Sequence, residues 1–230
     1  MKKMSFLLVA LLLLATVGAG CITSTDTSTT QGPPETRGPP EDKGYGAGAS
    51  PEGTMVNVSA YPAQNLSQDE IEAILYMREE EKLARDVYLT LYNKTGLPIF
   101  SNIANSEQTH MDMVLELIEK YNLTDPVAGM GIGEFNSTEM QELYEKLVAQ
   151  GSESEVEALK VGALIEEIDI KDLDEWLKRT DNEDIKAVFE SLRSGSENHL
   201  RAFTRLLQNR YGVTYTPQVL SEEEYKSIVG

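Results

Sequence analysis

The chain of 230 residues contains a single cysteine, Cys21. With no second thiol it cannot form an internal disulfide, a zinc ribbon or a rubredoxin-type iron site. Basic residues are also few: 20 Lys and Arg stand against 38 Asp and Glu, which gives a formal net charge of −18. This charge argues against nucleic acid and anionic membrane surfaces as partners. Runs of alternating apolar residues long enough for a sheet are lacking as well, so the sequence predicts an all-α protein.

The N-terminus has the features of an export signal. Lys2 and Lys3 precede an apolar run over residues 6–17, and the small residues of 18–20 lead to Cys21. The apolar run is shorter than the roughly 20 residues of a membrane span. We therefore expect residues 1–20 to be a lipoprotein-type signal peptide and Cys21 to carry a lipid. The protein would then be exported and anchored to the outer face of the cell membrane. A plain secretion signal and an uncleaved anchor are the alternatives.

Composition divides the remaining chain into a tether and a domain. Residues 21–60 are rich in Thr, Ser, Pro and Gly, a composition typical of flexible segments that cannot bury enough apolar surface to fold. Residues 61–230 have the length of one domain. Without residues 1–20, which carry two lysines and no acid, the net charge becomes −18 − 2 = −20.

Helix start and stop signals recur through this domain. Ser67 with Glu70 forms a capping box, and Gly96 and Pro98 separate the first helix from the second. Asn136 is expected to cap a short helix, and Thr180 the fourth long helix. The third long helix spans about 153–178. A long connection between the second and third long helices indicates a four-helix bundle with a crossover that contains the short extra helix.

Each long helix places an acid or a histidine near the middle of its apolar stripe. These residues are Glu81, Glu107, His110, Glu166, Asp169 and His199. A buried bare carboxylate costs several kcal/mol unless it is paired or bound to a metal. Together the six predict a metal site, with iron the usual ion for mixed Glu/His ligands in bundles and manganese or zinc as alternatives. Individually, each acid could instead be solvated or paired with Arg78 or Arg85, and each histidine could simply be hydrogen-bonded. Glu79, Glu80 and Glu167 fall off the stripes and are expected on the surface.

The motifs around these residues resemble the ferritin-like superfamily, and rubrerythrin-type helices in particular. Glu81-x-x-Ala84-x-x-x-Tyr88 and Ile103-Ala104-x-x-Glu107-x-x-His110 are similar to a di-iron half-site, and Glu166 matches the third-helix ligand. The runs at 78–88, 101–110 and 198–203 are closest to the ferritin-like family "domain of unknown function 2202". The resemblance implies one or two iron ions and a reaction with dioxygen or peroxide. It also allows a homodimer.

The fourth helix departs from the superfamily pattern. The resemblance implies Glu-x-x-His, but this chain has Ser196-x-x-His199. One carboxylate of the usual set is missing, and a single ion or an asymmetric pair completed by water or Asp169 is equally consistent with the remaining ligands. If the protein is an enzyme, a separate redox partner is needed, because the domain has no cysteine for a second iron centre. The alternatives are a non-catalytic metal-binding protein and a structural or interaction module.

Overall fold

The computed structural model describes residues 55–230, and within this range the chain is all-helical, with no strand. A 3-10 turn at Val58–Ala60 is followed by helices α1 to α6: Gln68–Thr95, Pro98–Lys120, Thr138–Gly151, Glu155–Leu177, Glu183–Tyr211 and Glu222–Val229. The all-α prediction is confirmed. No helix in this range is long and apolar enough to cross a membrane. The signal peptide, Cys21 and most of the tether lie outside the described residues. Val58 is buried in the core.

The ends of the first two helices match the sequence signals. The Ser67 hydroxyl accepts the backbone N–H of Glu70, and the Glu70 side chain accepts the N–H of Ser67. Gly96 closes α1 with φ +69°, a left-handed conformation that glycine adopts without strain, and Pro98 opens α2.

Two other predicted caps were wrong. Ser137, not Asn136, caps α3, because its side chain accepts the N–H of Met140. Asn182, not Thr180, precedes α5. The Thr180 hydroxyl instead donates to the carbonyl of Trp176, so it satisfies a backbone acceptor in the last turn of α4. The C-terminal helix α6 has its own capping box at Ser221 and had no counterpart in the predicted elements.

The four long helices pack as two hairpins. A two-residue connection joins α1 to α2, and residues 178–182 join α4 to α5. The hairpins face each other, with α2 against α5 and α1 against α4. The long connection between α2 and α4 contains α3, which covers α1 and α4. This arrangement brings the middle of all four long helices to one interior region.

The apolar core is divided into two clusters by a polar layer. One cluster includes Leu83, Val87 and Phe203, and the other includes Met77 and Leu192 among many more. Along α1, the apolar residues of the second cluster end at Met77, and those of the first cluster begin at Leu83. The acids and histidines that the sequence placed at midlength lie in the gap between the clusters. Apolar side chains therefore shield the polar layer from water at both ends.

The prediction that Glu80 and Glu167 lie on the surface was wrong. They are only 2% and 0% exposed, whereas Glu79 is half-buried. Glu167 lies beneath the C-terminal segment, where it accepts the hydroxyl of Tyr215 and the backbone N–H groups of residues 218–220. Helices α1 and α4 contact neighbours on more than one side, so a residue outside the main apolar stripe can still be enclosed.

Candidate metal centre

Two groups of potential ligands meet between the four long helices, and both contain Glu107. In the first group, Glu81 from α1 joins Glu107 and His110 from α2. In the second, Glu107 joins Glu166 from α4 and His199 from α5. Each residue offers one ligand atom, and within a group these atoms lie within 4.8 Å of one another. The structure thus brings together five of the six residues singled out by sequence, and Glu107 connects the two groups.

Both imidazole rings turn the same nitrogen toward the carboxylates. His110 Nδ1 is 2.7 Å from Glu107 Oε2 and 3.2 Å from Glu81 Oε2. His199 Nδ1 is 2.9 Å from Glu107 Oε1 and 3.4 Å from Glu166 Oε2. On its other side, His199 Nε2 is hydrogen-bonded to Ser106 Oγ at 3.0 Å. Such an outer hydrogen bond fixes the ring and leaves Nδ1 available to a ligand.

The polar layer contains several buried atoms that lack a hydrogen-bond partner. They are Oε1 of Glu81, Oε1 of Glu107, Nε2 of His110, Nδ1 of His199 and Oδ1 of Asp169. His199 Nδ1 and Glu107 Oε1 are close, but their contact lacks hydrogen-bond geometry. Unsatisfied polar atoms are uncommon in protein interiors. The orphan atoms of Glu81, Glu107 and His199 fit ligand atoms that share a cation, whereas His110 Nε2 faces Gly195. The carboxylate and imidazole donors suit iron, manganese or zinc.

Burial and mutual charge perturb the ionisation of these groups. Burial raises the pKa of Glu81 to about 7, although His110 opposes the rise. Burial alone would also raise the pKa of Glu107, but the rings of His199 and His110 lower it overall. Burial lowers the pKa of His199, but Glu107 and Glu166 outweigh this effect and raise it to about 10. Glu81 and Glu107 raise the pKa of His110 in the same way, although burial lowers it. The negative oxygens that hold a proton on each ring would equally attract a metal cation.

Asp169 lies beside the two groups and belongs to neither. The hydroxyl of Ser196 donates to Asp169 Oδ2, while Oδ1 has no partner. Burial and the nearby carboxylate of Glu81 raise the pKa of Asp169. Ser196 of α5 therefore orients a carboxylate of the neighbouring helix α4.

Other residues shape the centre without offering a ligand to it. Gly195 lets α5 approach α2, because a Cβ there would lie 2.5 Å from Nε2 of His110. Tyr88, which belongs to the Glu81-x-x-Ala84-x-x-x-Tyr88 motif of α1, donates its hydroxyl to Glu166 Oε1. Gly195 and Ser106 were missed by sequence reasoning, because a lone glycine or serine within a helix carries no motif.

Fold and site together define an all-helical protein with a buried carboxylate–histidine layer shared by four helices. The chain belongs to the family described as "Uncharacterized protein domain (DUF2202)", whose model matches residues 70–230. This confirms the predicted resemblance to domain of unknown function 2202.

Two comparisons extend this assignment to a relative. The chain is 60% identical over 172 residues to "Uncharacterized protein MJ0754" of Methanocaldococcus jannaschii, covering 75% of this chain and 92% of the relative. The solved structure titled "Crystal structure of hypothetical protein MJ0754 from Methanococcus jannaschii DSM 2661" aligns with a TM-score of 0.71 at 61% identity. That alignment covers 73% of this chain and 95% of the solved one.

Proposed function

We propose that this protein is an exported, lipid-anchored, ferritin-like metal-binding protein whose bundle holds a pair of divalent ions, iron foremost, on either side of Glu107. The observation that carries the proposal is the pair of three-residue groups that share Glu107. One ion would be held by Glu81, Glu107 and His110, and the other by Glu107, Glu166 and His199.

The charges of the centre fit two divalent ions. When all four are ionised, Glu81, Glu107, Glu166 and Asp169 supply four negative charges, and two divalent ions supply four positive ones, so −4 + 4 = 0. A fourth-helix glutamate in place of Ser196 would add a fifth negative charge. Asp169 therefore supplies a fourth carboxylate although Ser196 supplies none, and this supports an asymmetric pair of ions over a single ion.

The surrounding residues suit a redox metal. Bound iron would supply one-electron chemistry toward dioxygen or peroxide. Tyr88 orients Glu166 by a hydrogen bond, Ser106 orients His199, and the apolar clusters exclude bulk water from the layer. Because the only cysteine is Cys21, electrons for a reductive reaction would come from a separate protein.

Elemental analysis of the purified full chain tests the proposal. We expect two iron ions per chain after anaerobic loading with Fe(II), and manganese or zinc as weaker substitutes. Matched His110→Ala and His199→Ala chains should each lose about one ion. A chain that takes up none of these metals would count against the centre.

A non-catalytic metal-binding protein is the second candidate, and the observation that favours it is Ser196. The resemblance implies a metal-binding glutamate at this position, but Ser196 donates a hydrogen bond to Asp169 instead. Oxygen consumption by the Fe(II)-loaded protein separates the two functions. Turnover with an added reductant supports redox activity, whereas stably bound and unreactive iron supports storage or scavenging. A structural or interaction module would bind no metal at all.

A further inference from the structure

A second set of buried carboxyls lies next to the metal centre. Glu80 on α1 is 2% exposed, and neither of its carboxylate oxygens has a hydrogen-bond partner. After burial itself, the groups that act most strongly on the Glu80 carboxyl are Asp172, Asp169 and Glu81, all of them acids. Glu80 therefore faces other carboxyl groups in a largely buried region.

The basic residues of α1 near Glu80 form ion pairs with other acids. Arg78 pairs with Asp125, and Lys82 and Arg85 both pair with Asp86. Within residues 55–230, Glu80 forms no ion pair with a lysine or arginine. The two ions proposed for the centre would be balanced by its own four carboxylates, so they offer no positive charge to Glu80 when it ionises.

The acids of α4 form a row that connects this set to the centre. Asp172, Asp169 and Glu166 follow at intervals of three residues, so they lie on one side of the helix with a rise of about 4.5 Å per step. At the far end of the row, the half-buried Tyr76 donates its hydroxyl to Asp172 Oδ2 at 2.7 Å. The row therefore leads from a partly exposed residue to a ligand of the centre.

We propose that Glu80 and Asp172 bind a further divalent cation, partly hydrated and more weakly held, which loads the centre by way of Asp169. This inference rests on the proposed metal-binding function and adds the route by which ions reach it. Two carboxylates and several retained waters are the usual environment of a weakly bound hard cation. Glu80, Asp169 and Asp172 do not form one of the two compact three-ligand groups, so an ion there would have fewer protein ligands than an ion in the centre.

Titration of the full chain with Co(II) alone tests the inference, because the absorption bands of bound Co(II) report its ligands. Equilibrium dialysis should show two tight ions and one weak ion in the wild-type chain. In Glu80→Gln and Asp172→Asn, the weak ion should bind about tenfold or more weakly. The two tight ions should remain with unchanged spectra, and stopped-flow loading of the centre should slow several-fold. Glu79→Gln is the control, because it makes the same change at a half-buried neighbour.

The outcomes separate this inference from the function on which it rests. Two tight ions without a third, or a third ion and a loading rate that Glu80→Gln leaves unchanged, would overturn the Glu80 site alone. A weak ion that is lost in Glu80→Gln and kept in His110→Ala, with no tight ions, would overturn the centre alone. A chain that binds no Co(II) overturns both. A folding defect would be visible as a lower melting temperature in Glu80→Gln, whereas replacing a carboxyl that has no hydrogen-bond partner by an amide of the same shape should leave it unchanged.

Discussion

The sharing of Glu107 between two ligand groups predicts how metal should stabilise the fold. An ion that binds only the folded state stabilises it by about 2.7 kcal/mol at 100 times its dissociation constant, so two ions contribute about 5 kcal/mol. For a domain of this size, 1 kcal/mol shifts the melting temperature by about 2–4 °C. Metal should therefore raise the melting temperature of the wild-type chain by about 10–20 °C. His110→Ala, which leaves the group of Glu107, Glu166 and His199 intact, should retain about half of that rise.

Glu107→Gln should abolish nearly all of the rise, because it removes a ligand from both groups. The metal-free melting temperature of this variant should also fall, since His110 and His199 lose their nearest carboxylate, so the metal-dependent difference is the quantity to compare. Calorimetry with and without chelator measures it. Glu197→Gln is the control, because Glu197 pairs with Arg193 at 2.6 Å outside the centre. Equal metal-dependent rises in the Glu107→Gln and wild-type chains would refute the shared-ligand reasoning.

Three further substitutions test separate parts of the molecule. Gly195→Ala should displace the His110 ring and lower metal affinity about 10–100-fold, measured by competition with a chelator, while Ser194→Ala on the exposed side should not. Glu167→Gln should destabilise the fold by about 1–3 kcal/mol, because it leaves a buried donor of the C-terminal segment unpaired. Chemical denaturation measures this loss, and hydrogen exchange over residues 213–229 should rise with it. Cys21→Ser should move the protein out of the membrane fraction, and a processed variant that stays there would contradict lipidation.

The helical fold and most of the site could be predicted because the long helices carry strong local signals. The Ser67 capping box, Gly96 and Pro98 are determined by interactions within a few residues, and all three act as the sequence indicates. Glu107 and His110 are three residues apart, so helix geometry alone puts both on one side. Which ligands meet across helices depends on packing. From the sequence, only the resemblance to a known family predicts which ligands of different helices come together.

The failures arise where a residue's environment is set by a distant part of the chain. Glu167 falls off the apolar stripe of α4, but residues 215–220 fold back over it and supply four hydrogen-bond donors. Glu80 is enclosed because α1 faces α4 as well as α2. Thr180 and Asn182 are both acceptable caps by residue type, and the carbonyl of Trp176 decides between them. The contacts that enclose Glu167 and Glu80 join residues far apart in sequence, so periodicity cannot reveal them, whereas the bond from Thr180 to Trp176 spans only four residues.

The polar layer is better explained by ligand binding than by stability. The two apolar clusters on its sides already provide a core for both ends of the long helices. Replacing buried charged groups by well-packed apolar side chains is often neutral or stabilising by about 1–4 kcal/mol. A layer with four carboxyls and two imidazoles, five of whose atoms have no hydrogen-bond partner, is thus an unfavourable way to join the clusters. Its cost is offset once cations occupy the space between Glu81, Glu107, Glu166 and the two rings. The arrangement of these side chains therefore supports the proposed metal centre, because two of its groups could each hold an ion.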